Sequence, residues 1–107
     1  MSMTREEMND KMVELLEATE STDGAVVFNG RAAELVKELA TWARGTDFYK
    51  ENHETATCFF DSSATPSEIW MFMLQRIVGA PTPMHRDCVV AGHMPALENA
   101  ITRQAGQ

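Results

Sequence analysis

Residues 65–79 constrain what this chain can fold into more than any other stretch. Thr65 with Glu68 three positions on spells a capping box, Pro66 sits where a helix's first N–H is dispensable, and Gly79 is placed to close the far end. The pattern predicts a helix over 65–79. Ile69, Met73 and Ile77 fall on one line of it, flanked by Trp70, Leu74 and Val78. Only Glu68 and Gln75 hold a narrow polar strip, and Met71 and Phe72 border even that. A helix apolar around most of its circumference must be covered on most sides, so it is either the centre of a domain or half of an interface.

The rest of the chain supplies limited cover. At 107 residues it reads as one domain over 1–107, able to bury roughly two-thirds of its unfolded surface without staples. A hydrophobic fraction of 44% with 23% charged residues is that of a folded protein. The formal net charge of −7 argues against nucleic acid or an anionic membrane as the main partner, because both are negative. Two cysteines do not make a disulfide framework, and Met1 is followed by polar and charged residues rather than a secretory signal. Reduced thiols in the cytoplasm are therefore expected. No run spans a bilayer: 69–78 contains Arg76 and covers only half of the ~20 residues required. The eight methionines suit either a gap-filled core or an adaptable binding surface.

The hydropathy pattern predicts a mostly α domain of about four helices, over roughly 4–19, 29–44, 65–79 and 95–104, with irregular connections. Thr4 and Glu7 repeat the capping-box spacing, and Met8, Met12, Leu15 and Leu16 make the first stripe. Asn29 suits an N-cap. Ala32, Leu35, Val36, Leu39 and Ala43 face one side of the second helix, with Arg44 in its last turn and Gly45 beyond it. Periodicity does not decide between helix and strand for 25–28 or 55–60, and the alternative is an α+β fold in which those two segments pair. Pro81 and Pro83 are read as stopping regular structure. Pro95 is read as opening the last short helix, which carries Leu97, Ala100 and Ile101 before a frayed tail at 104–107.

The densest set of reactive side chains is His85, Arg86, Asp87 and Cys88, followed by His93, in what the prolines mark as an 81–93 loop. Two imidazoles and a thiolate at this spacing are a candidate zinc site, with Cys58, Asp61 or Glu98 as a fourth ligand, although no Cys-x-x-Cys pair is present. The same residues offer a candidate nucleophile, Cys88, activated by His85 or His93 and oriented by Asp61 or Asp87. His85 and Arg86 at a helix N-terminus suit a small anion. Phosphate-binding glycine loops are absent, since the six glycines are scattered.

Two expectations about function follow. The first is a non-enzymatic, acidic interaction or regulatory module that self-associates, most simply as a homodimer, through Trp70, Met71, Phe72, Met73 and Ile77. Glu7, Glu14 and Glu17 on its first helix would offer an acidic face to a larger protein with a basic surface. The alternative is a ligand- or metal-binding protein whose site is His85, Cys88 and His93, with zinc as the metal and no other cofactor implied.

Overall fold

The computed structural model describes residues 3–22, 25–28, 30–46 and 63–106. Helix α1 (Arg5–Ala18) begins where the Thr4 hydroxyl accepts from the Glu7 N–H, with Glu6 and Glu7 in the first turn where the helix dipole favours acids. It ends at Thr19, whose N–H and hydroxyl both donate to the Leu15 carbonyl. Met8, Met12 and Leu15 are its buried stripe.

The chain then makes a short antiparallel hairpin, β1 (Glu20–Thr22) with β2 (Ala25–Val27), in the register Glu20 to Val27, Ser21 to Val26 and Thr22 to Ala25. Segment 25–28 is thus largely strand, and its partner is the stretch just before it. The expected partner at 55–60 lies outside the described residues. A local hairpin closes at little entropic cost, whereas pairing with a distant segment would first have to close a long loop.

Helix α2 (Gly30–Arg44) buries Ala32, Leu35, Val36, Leu39, Ala40 and Ala43, the stripe its 3.6-residue period predicts. Helix α3 (Pro66–Val78) has both halves of the capping box. The Glu68 N–H donates to Thr65 Oγ1 at 3.2 Å and the Thr65 N–H to Glu68 Oε1 at 3.3 Å, with Gly79 closing the other end.

Helix α4 (Pro83–Ala105) departs most from the sequence reading. Thr82 is its N-cap, accepting from the His85 N–H at 3.2 Å, and Pro83 occupies the first helical position, so the prolines after Gly79 start a helix rather than exclude one. Pro95 lies inside α4 and does not open it, and the helix runs on through Ala105, past the expected fray at 104. An interior proline costs about 3 kcal/mol. Against that, Val89, Val90, Met94 and Leu97 are all buried, each contributing about 1.5–3 kcal/mol, so burial wins.

α1 packs on α2, α2 and α3 both pack on α4, and β2 packs on α3. Residues 89–95 are buried on every side of α4, which makes α4 rather than α3 the central helix. The buried side chains form one core, joining Met8, Met12 and Leu15 of α1 to Leu35 and Leu39 of α2, Trp70 and Met73 of α3, and Met94 and Leu97 of α4. Four of the methionines, Met8, Met12, Met73 and Met94, are core fillers, while Met71 and Met84 stand exposed. Among the described residues no helix is long and apolar enough to cross a membrane.

Candidate functional site

α4 does not gather His85, Cys88 and His93. His85 is exposed in the first turn, its Nδ1 2.6 Å from Thr82 Oγ1, Cys88 is half-buried one turn on, and His93 is buried in the core. On a helix the rise from 85 to 93 is about 12 Å, and positions 88 and 93 project about 140° apart. Zinc bonds of about 2 Å cannot bridge that spread. The loop that would have let them converge is helix, and among the described residues no three His, Cys, Asp or Glu side chains assemble for a metal. Of the other proposed ligands, Glu98 is paired with Arg44, and Cys58 and Asp61 lie outside the described residues.

Nor, among the described residues, do its surroundings activate Cys88. Burial, and then the neighbouring Asp87 carboxylate, push its thiol upward, the reverse of what a nucleophile needs. Asp87 itself faces Arg5 of α1, with its Oδ2 2.5 Å from the guanidinium Nε. His93 is shifted the other way: burial, and next the Arg76 guanidinium, push its imidazole down from 6.5 to about 4.

The acidic face of α1 is present but differently composed. Glu14 is clamped by Arg31 of α2, whose Nη2 donates to Oε1 at 2.9 Å while Nε pairs with Oε2, and this hydrogen-bonded pairing holds the Glu14 carboxyl below its ordinary value. Glu7 accepts from the Thr4 hydroxyl. Of the three expected contact acids, Glu17 stands without a cation among the described residues, and so do Glu6 and Asp10 of the same acidic face. These three border Val13 and Leu16, apolar side chains left 54% and 42% exposed. The signal was there as spacing, since 6, 10, 13 and 17 lie on one side of a helix.

α3 divides the expected interface in two. Trp70, Met73 and Ile77 belong to the chain's own core, with Phe28 meeting the Trp70 ring edge-on at 6.0 Å, so they are not available to a partner. The physical reason is α4: once the stretch after Gly79 is helical, it covers the α3 face that otherwise lacked a neighbour. Met71 remains 45% exposed and Val78 84%, with Phe72 and Leu74 half-buried beside them. Among the described residues, Phe72 meets the His93 ring at 5.5 Å and the Arg76 guanidinium 5.6 Å from its centroid. Glu68, Phe72 and Arg76 therefore form one row at i, i+4 and i+8, with an exposed acid at one end and an exposed base at the other.

Compared with known proteins, the chain matches no protein family, no curated protein and no solved structure.

Proposed function

We propose that this protein is a non-enzymatic helical interaction module, a small acidic regulator that self-associates through the outer face of α3 and works in the cytoplasm. The observation that carries the reading is the exposure of Met71 and Val78 beside half-buried Phe72 and Leu74, on a helix whose inner face is already satisfied. A second copy suits this face better than any other. Two chains of net charge −7 repel, so they approach where local charge cancels. Glu68 and Arg76 cancel on α3, whereas Glu6, Asp10 and Glu17 add on α1.

Light scattering from about 1 to 100 µM tests the reading. The expected result is a concentration-dependent dimer that Met71→Glu and Val78→Glu return to monomer without lowering the melting temperature, since both side chains are exposed. A monomer at every concentration would overturn it.

The α1 face favours a second contact, with a basic partner, because Val13 and Leu16 lie exposed among three acids that no cation neutralises among the described residues. Its signature is an association rate that falls as salt rises and falls again on charge reversal at Glu6, Asp10 and Glu17.

A further inference from the structure

We infer that the basic partner of α1 docks as an amphipathic helix, laying an apolar stripe on Val13 and Leu16 and setting two cations, seven residues apart, against Asp10 and Glu17. The inference rests on the second contact proposed above for α1, and adds to it the shape and charge spacing of the partner.

The solvent-facing side of α1 carries the spacing of a seam between two helices. Glu6, Asn9, Val13 and Leu16 follow one another at intervals of three, four and three residues, which on a helix keeps them on one strip. In heptad terms they occupy a, d, a and d, and Asp10 and Glu17 then fall at two successive e positions, on the same flank of the strip. A partner helix lying along the strip presents its own flanking positions at the same period, about 10 Å along the axis. An unfolded basic tail holds its charges at no fixed period. It also brings no apolar stripe to cover Val13 and Leu16, which stand 54% and 42% exposed.

The charge on this strip is left to a partner because the fold directs the cations of α1 elsewhere. Arg5 pairs with Asp87 of α4 and Lys11 with Glu38 of α2, while Arg31 of α2 neutralises Glu14 on the flank toward that helix. Glu6, Asp10 and Glu17 have no cation partner among the described residues. Three like charges bordering two exposed apolar side chains repel nucleic acid, and repel a second copy of a chain whose net charge is −7. A cationic helix with one apolar face complements both the charge and the apolar strip.

The test uses a fluorescein-labelled synthetic peptide of about three heptads, with leucine at a and d and lysine at e and g, and a shuffled peptide of the same composition without a common face. Fluorescence anisotropy gives dissociation constants at about 50 mM and about 500 mM salt. At the lower salt the patterned peptide is expected to bind at least tenfold more tightly than the shuffled one. Val13→Gln with Leu16→Gln should remove that advantage at both salt concentrations. Asp10→Asn with Glu17→Gln should weaken binding at least tenfold at low salt and much less at high salt. All four side chains are exposed, so circular dichroism and melting temperature should stay those of the wild type, and Met71→Glu on α3 should leave the affinity unchanged. Equal binding of the two peptides, or binding sensitive to the acids but indifferent to the loss of Val13 and Leu16, overturns the helical partner and leaves a basic partner standing. Binding by neither peptide, or binding that none of the α1 substitutions alters, overturns both.

Discussion

The Phe72 ring of α3 meets the His93 imidazole of α4 edge-on, with centroids 5.5 Å apart and ring planes at 87°. This contact sits where the core reaches the outer face of α3, and it places His93, the buried polar side chain of the described core, directly behind the half-buried Phe72 ring.

Burial of this imidazole, and next the Arg76 guanidinium, make stability depend on pH. His93 takes up a proton near 4 in the folded state and near 6.5 when unfolded. Above about pH 7 both states are neutral and the full stability is present. As pH falls from 6.5 toward 4 the unfolded state binds the proton first, so stability is lost across that window by about 2–3 kcal/mol, and this group contributes no further loss below it. Urea midpoints from pH 7.5 to 4.5 should therefore fall more steeply for the wild type than for His93→Leu. A constant difference between the two proteins would remove the assignment.

Among the described residues, the Ser67 hydroxyl hydrogen-bonds the hairpin to α3. Ser67 Oγ donates to the Val26 carbonyl and accepts from the Val26 N–H, both at 3.0 Å, so Val26 turns its backbone groups away from β1 and toward the helix. Ser67→Ala leaves both groups without this partner and should cost about 1–2 kcal/mol. Hydrogen exchange at the Val26 amide should rise well before exchange in α4 does. Unchanged protection at Val26 would show that the hairpin docks without Ser67.

Thr82 carries the start of the central helix. Its hydroxyl satisfies the His85 N–H, so Thr82→Ala should destabilise the fold by about 1 kcal/mol while Thr82→Ser restores most of the loss. Denaturant unfolding of the three proteins measures this directly. Equal stability of all three would mean that the first turn of α4 forms without its cap.

Cys88 should alkylate slowly. Its thiol is half-buried and shifted upward by burial and then by Asp87, so at pH 7.5 its thiolate fraction lies below that of a free cysteine. Peptide mapping after timed iodoacetamide exposure should show slow modification at Cys88, with Asp87→Asn speeding it. Labelling at the rate of a free thiol would contradict the packing around it.

The Thr-Pro pair occurs at two helix starts with opposite fates in the reading. Thr65 with Pro66 was legible as a cap because Glu68 follows at the third position, and the structure has both hydrogen bonds of the box. Thr82 with Pro83 has His85 at that position, and the nearby Pro81 and Pro95 pointed to a loop, so the first half of α4 was missed. The stripe of α2 and the start of α1 were legible for the same reason as the first cap. They depend on neighbours within one or two turns, which the chain carries beside them.

The sequence by itself determined the caps, the amphipathic stripes and therefore a mostly helical domain, because local sterics and periodic burial act over three or four residues. Tertiary structure alone decided that Pro95 stays inside a helix, since only the packing of α2 and α3 around α4 outweighs the proline's cost. It alone decided that Trp70, Met73 and Ile77 go to the core while Met71 stays outside with Phe72 at the boundary, and that Glu14 is neutralised by Arg31. Those outcomes depend on which distant segments arrive as neighbours, and a one-dimensional pattern does not carry that information.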